Sequence, residues 1–243
     1  YRLFDEILVP YEGVDGRRIR NSFRSLTQAN PFLNCAPSLQ NASLMYDVYG
    51  GMRGSLSQDV GFDVRISKSR TDGKALFLGE ENNYAGVRYG DQFLAVYDRV
   101  DQLDIGGELR YSHDEHIDVY GGLHLYSYNT DVQAEAWNLP TYPINLGGTY
   151  DFQDKLLVKV EAEFLGTRKS TLPVAEGWND LSPAPTVVDL GGYVDLHLGF
   201  EYRYTKRLSL FLDVSNLSAS KYARWYNYPV QRTLVLGGAT YAF

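Results

Sequence analysis

The feature that most constrains this chain is a strict two-residue alternation of apolar and polar side chains, repeated along most of its length. Val194, Leu196, Leu198, Phe200, Tyr202 and Tyr204 alternate with Asp195, His197, Gly199, Glu201 and Arg203. A helix, turning about 100° per residue, would spread each set around its whole axis, whereas a strand sends them to opposite faces. After a short turn, Leu208, Leu210, Leu212 and Val214 alternate with Ser209, Phe211, Asp213 and Ser215. The same rule holds upstream. Val60, Phe62, Val64 and Ile66 oppose Gly61, Asp63, Arg65 and Ser67; Leu103, Ile105, Leu109 and Tyr111 oppose Asp104, Glu108 and Arg110. Comparable patterns lie near 46–56, 117–126, 142–152 and 158–164, and a first strand near 2–9 and a last near 230–243 complete a set of ten.

The connections follow a second rule. Short turns at 57–59, 113–115, 153–155 and 205–206 alternate with long excursions at 10–43, 70–100, 129–141, 168–187 and 216–229. All short turns therefore share one edge of the sheet, and an even strand number puts both termini on that edge. Within the second excursion, 75–79 and 92–97 read as strand extensions rising above the sheet.

Composition excludes several classes. A net charge of −7 lacks the cationic field that nucleic acid requires. No run approaches the roughly 18 apolar residues of a spanning helix, and the 20 tyrosines and 23 glycines spread along the chain disfavour a helical protein. Cys35 is the only cysteine, so neither a disulfide nor a CxxC pair forms within the chain.

Antiparallel strands with one apolar and one polar face build either a soluble sandwich or barrel with its apolar face inward, or an outer-membrane barrel with its apolar face toward lipid. Three features favour the membrane barrel. The strands reach about 10 residues, the length a tilted membrane strand needs. The polar faces mix acidic and basic residues, as a hydrated lumen does. Short turns are segregated from long loops, as periplasmic turns are from extracellular loops. Tyr111, Tyr128, Tyr142, Tyr150, Tyr202 and Tyr204 lie near strand ends and suit interfacial girdles. The expected fold is thus an all-β, antiparallel transmembrane β-barrel of about ten meandering strands, complete in itself or part of a larger barrel.

The chain closes on LVLGGATYAF, where Gly238, Tyr241 and the terminal Phe243 resemble the signal by which outer-membrane barrels are recognised for assembly; Leu236 departs from it, standing where a polar residue is usual. The preceding LFLDVSNLSASKYARWYNYPVQRT resembles the last hairpin of TonB-dependent receptors: an Asn-Leu closes the penultimate strand, and a Lys-Tyr and aromatic-Pro loop follows. Val230, Gln231 and Arg232 replace the usual Gly-Arg after the proline. VDLHLGFEYRYTKRLSLFLDVSNL and AWNLPTYPINLGGTYDFQDKL extend the resemblance, which is nearest to receptors of the Bacteroidota type and covers most of residues 44–243.

The resemblance implies a non-enzymatic receptor and transporter in the Gram-negative outer membrane. It would take up a nutrient by TonB-dependent transport, its cargo a siderophore, glycan, peptide or cobalamin. Its partners would be outer-membrane lipid and lipopolysaccharide, the barrel assembly machinery, TonB through an N-terminal plug, and a surface lipoprotein or the remainder of the barrel. Such receptors have about 22 strands around the plug. On this reading residues 1–243 are barrel without plug, and the start at Tyr1 is a boundary within a longer receptor. The alternatives are a small self-contained barrel acting as a passive channel or structural protein, its first strand closing on its last, and, further off, an outer-membrane hydrolase or protease. For an enzyme, Asp98, Asp104, His124 and Asp195 are scattered, and no GxSxG, HExxH or P-loop motif is present.

Candidate sites follow from position. Trp137, Trp178, Trp225, Tyr226 and Tyr228 in the long loops could stack on cargo, pack loop on loop or anchor in headgroups. Arg17, Arg18, Arg20 and Arg24 in the first excursion could bind an anionic cargo or lipopolysaccharide phosphates, or form a solvated face. The lumen-facing row Asp195, His197, Glu201, Arg203 and Asp213 would line a conduction path or face the plug. His113 and His116 flank Asp114 and Glu115 in a tight turn with no third fixed ligand, so no metal site and no cofactor is expected.

Overall fold

The computed structural model describes residues 8–19, 43–84, 87–175 and 178–242. Its main body is a ten-stranded sheet. The strands are β1 (Leu8–Ile19), β2 (Ser43–Ser55), β3 (Val60–Tyr84), β4 (Val87–His113), β5 (Ile117–Thr130), β6 (Pro143–Phe152), β7 (Leu156–Leu165), β10 (Tyr193–Arg203), β11 (Leu208–Ser215) and β14 (Leu234–Tyr241). They lie side by side in chain order, each antiparallel to the next. Two small two-stranded sheets, β8 (Arg168–Thr171) with β9 (Val187–Leu190) and β12 (Ala223–Trp225) with β13 (Tyr228–Pro229), are folded within the loops.

The sheet is inside out by the standard of a soluble protein. Val48 and Leu109 are 57% and 56% exposed, while Asp47 and Asp195 on the opposite face are 4% and 6% exposed. In water, an apolar face of this extent would be driven to cover itself. Against lipid it needs no cover, and the polar face turns to the interior. The soluble alternative is therefore set aside by the burial pattern, and the fold is an all-β, outer-membrane-type sheet.

The short turns at 56–59, 114–116, 153–155 and 204–207 fall on one edge. Leu8 pairs with Gly54, and Tyr241 pairs with Leu208, so β1 begins and β14 ends on that same edge. At the opposite edge β3 and β4 run on together. Their 25 and 27 residues correspond to roughly 80–90 Å of strand, far more than a membrane crossing uses. A register shift between Thr71 and Lys74, with Gly73 at φ 67°, marks where the hairpin leaves the ten-stranded body. The extensions expected at 75–79 and 92–97 are both part of it.

Among the described residues the first strand runs over Leu8–Ile19, so Arg17 and Arg18 belong to a strand and not to a loop; most of the strand expected near 2–9 lies outside the described residues. Pro10, Gly13 and Gly16 blur its alternation, and a proline reads as a strand end. Arg20, Arg24, Cys35 and Phe243 lie outside the described residues. Among those described, β1 and β14 each pair on one side only, so the sheet is open, and closure of the first strand against the last is not among its pairings.

Candidate functional site

The polar face carries a ladder of cross-strand ion pairs. Arg65 Nη2 donates to Asp47 Oδ2 at 2.8 Å, the His124 imidazole meets Asp104 at 2.9 Å, and Arg110 meets Asp118 at 2.6 Å. Arg203 pairs with Asp151 at 2.8 Å, and within β7 Lys159 pairs with Glu161 two residues on at 2.9 Å. All of these residues occupy the polar positions of the alternation, because directly opposed residues of an antiparallel pair share a face. The register sets Asp195, His197, Glu201 and Asp213 on this polar face. Asp195 faces Glu163, His197 faces Glu161, Glu201 faces Phe211, and Asp213 faces Gly199. Arg203 Nε also approaches Glu201 at 3.9 Å.

Asp195 is the most shielded of the row, and what shields it comes from the loop between β11 and β14. Tyr222 Oη donates to Asp195 Oδ2 at 2.5 Å, while His197 Nε2 lies 3.5 Å from the same oxygen. The Tyr222 ring stacks on Tyr193 at 3.7 Å, whose hydroxyl donates to Glu163 at 3.3 Å. Arg168 sits 5.6 Å over the other ring, Tyr193, and donates to the carbonyls of Ala223 and Arg224 at 2.7 Å each. Burial, then the hydrogen bond to Asp195, raises the Tyr222 pKa above its ordinary value, so the tyrosine stays a neutral donor. Burial likewise depresses the Arg168 pKa. The base of the loop is tied by Asn216, whose Nδ2 donates to the carbonyls of Ser220 and Gln231. The loop is thereby fastened onto the polar face.

The hydrophobic core lies above the sheet rather than within it. Leu76, Leu78, Val96 and Val100 of the long hairpin pack with Trp137 and Val174 from two other loops. Trp137 is 1% exposed, and its indole donates to Gln133 Oε1 at 3.0 Å. Asp98 accepts the backbone N–H groups of Val132 and Gln133, which caps the start of the loop that delivers the tryptophan. Trp225 packs edge-on against Phe77 and Phe93, and Tyr228 packs on Phe93. Trp178 is half-buried beside the core and donates to the Pro183 carbonyl; Tyr226 is also half-buried. The five loop aromatics therefore do not form one exposed platform. Trp137, Trp225 and Tyr228 hold the loops together over the hairpin. Gly238 and Tyr241 lie on β14, Gly238 opposite Phe211 and Tyr241 opposite Leu208.

The sequence carries little signal for Tyr193, Tyr222 or Arg168. Tyr193 stands one residue ahead of the clear alternation, and Tyr222 is legible only as part of the Lys-Tyr loop pattern. The signal available is that pattern, in which Tyr222 follows Asn216 by six residues.

An open sheet with an apolar outer face, a salt-bridged polar face and loops packed over one edge is the architecture of an outer-membrane barrel wall. No family model matches the sequence, and no curated protein does. Among solved structures, the pyoverdine outer membrane receptor FpvA from Pseudomonas aeruginosa, bound to pyoverdine, superposes with a TM-score of 0.65 at 13% identity, covering 98% of this chain and 34% of that one. The ferric-catecholate import receptor Fiu from E. coli gives 0.62 at 15% identity, covering 98% and 33%. The copper transporter OprC gives 0.61 at 12%, covering 97% and 37%. The chain thus shares their fold and spans about a third of their length. These neighbours are receptors and transporters, not enzymes.

Proposed function

We propose that this chain is part of the barrel of a TonB-dependent receptor, of the Bacteroidota type by its closing hairpin, in the outer membrane of a Gram-negative bacterium. The observation that carries this reading is the inverted sheet, which matches receptor barrels along nearly its whole length while amounting to a third of theirs. Leu234 and Leu236 add support. They share the polar face with Asp213 and Phe211, yet both are exposed. Apolar ground on a lumen face suits a lumen filled by a plug better than one filled by water. The two open edges would be covered by further barrel strands, since unpaired edges in lipid are prohibitive.

On this reading the chain does no covalent chemistry. It supplies a lipid-facing wall and loops that meet the cargo, while energy arrives through a plug coupled to TonB. Lipid, lipopolysaccharide and the barrel assembly machinery are its other partners, with Gly238, Tyr241 and Phe243 addressing the last of these. The names of the fold neighbours make ferric siderophores and copper the first cargoes to test, ahead of glycans, peptides and cobalamin. The test is uptake by cells with and without the gene, each with TonB intact or deleted. Gene-dependent uptake that vanishes without TonB is expected. Uptake indifferent to TonB, or a product that fractionates as a detergent-independent monomer, would overturn the proposal.

A further inference from the structure

We propose that the short-turn edge carries a binding site for a divalent transition-metal ion, of the zinc class, built from His116, Asp151 and Asp154. His116 stands in the turn between β4 and β5, Asp151 near the end of β6, and Asp154 in the turn between β6 and β7. One potential ligand atom from each of the three lies within 4.8 Å of the others. The two hairpins are already joined at this point, where the Asp151 N–H donates to the His116 carbonyl at 2.8 Å.

In sequence His113 and His116 share one tight turn without a third fixed ligand, and no metal site is expected there. Folding separates them. His113 turns to Asp59, with Nδ1 3.1 Å from its carboxylate, and stacks on Tyr111. His116 instead meets two aspartates that lie 35 and 38 residues further along the chain. The third ligand comes from the neighbouring hairpin.

A second observation points to a ligand. Arg203 Nη1 occupies Asp151 Oδ2 at 2.8 Å. Asp151 Oδ1 is closed to solvent and has no hydrogen-bond partner. A shielded carboxylate oxygen without a donor is costly, and a cation satisfies it directly. Arg203 then acts as an orienting partner of a ligating carboxylate, a common arrangement around bound metals. Bound to one ion at about 2.0–2.2 Å, three donors would stand roughly 3.3 Å apart. His116 and Asp154 are exposed and free to rotate inward by the remaining ångström or so. One imidazole and two carboxylates favour zinc and its first-row neighbours over calcium or magnesium, which take oxygen ligands alone. The ion would clip two adjacent turns together, whatever the cargo.

The test uses the intact protein, purified in detergent and stripped with a chelator, titrated calorimetrically with ZnCl₂ and followed by Co²⁺ absorption. Wild type and His113→Ala should each bind one equivalent more than His116→Ala and Asp154→Asn, and should show a ligand-field Co²⁺ band that both of those variants lose. Heat-modifiability reports whether each variant is folded. Should His116→Ala fail that check, Asp154→Asn, which preserves shape, decides alone. Equal stoichiometry in wild type and the folded variants would overturn the proposal, as would loss of the equivalent in His113→Ala.

Discussion

The ring of Phe211 lies across Gly238 on the neighbouring strand, with Phe211 Cζ 2.6 Å from where a β-carbon on the glycine would stand. The two are register partners on the polar face. His124 covers Gly106 and Tyr120 covers Gly147 in the same way. A residue singled out as part of a terminal assembly signal therefore has a packing role within the folded sheet as well. Gly238→Val should destabilise the barrel by about 1–3 kcal/mol, the usual cost of overpacking. Adding Phe211→Ala should recover most of it. Unfolding in detergent, followed by heat-modifiability, measures both; no recovery in the double variant would mean that the glycine acts only in recognition.

Tyr222 holds its loop to Asp195. Tyr222→Phe should loosen the 216–233 loop by roughly 1.5–3 kcal/mol, the range for a hydrogen bond to a charged acceptor. Limited proteolysis of that loop should accelerate while the rest of the sheet resists. Because the tyrosine pKa is raised in the fold, its contribution is complete below the ordinary tyrosine value near 10 and is lost as pH rises through the raised one. The loop should therefore open only under strongly alkaline conditions, and the Tyr222→Phe variant should lack that transition.

Trp137 ties three loops into one core. Trp137→Ala should cost the loop assembly about 3–5 kcal/mol. Rapid cleavage within 131–142 and 172–186, with unchanged heat-modifiability of the barrel, is the expected result. A barrel that also unfolds would show that the loops and the sheet are one cooperative unit.

Lys74 is half-buried just above the Thr71–Lys74 register shift, 5.8 Å from the Tyr128 ring, and burial depresses its pKa. Between that depressed value and the ordinary one near 10.5, the unfolded segment binds more protons than the folded one. The extended hairpin should therefore become more resistant to local opening as pH rises through this window. Lys74→Met should remove the dependence, measured by hydrogen exchange in residues 71–100.

Ile105 is exposed on the apolar face, midway along the stretch of β4 that pairs with β5. Ile105→Arg should destabilise the protein in bilayers by about 2–4 kcal/mol, the cost of a cationic side chain at the membrane midplane. On a water-facing surface the same change would be nearly neutral. Equilibrium unfolding in lipid vesicles separates the two outcomes.

The alternation of side chains by itself determined which residues of each strand share a face, how many strands form the sheet and which connections are short. These are local properties: a period of two commits a strand to two faces before any neighbour is present. The resemblance of the closing hairpin to receptor barrels was likewise legible, because it lies in consecutive residues. The run of β1 through Arg17 and Arg18 was not, since Pro10, Gly13 and Gly16 interrupt the alternation there. Only the tertiary structure sent His113 to Asp59 and His116 to Asp151 and Asp154, buried Trp137 among three loops and laid Tyr222 on Asp195. Those pairings join residues distant in sequence. They depend on strand register and on how far the β3–β4 hairpin rises, and no local pattern encodes either.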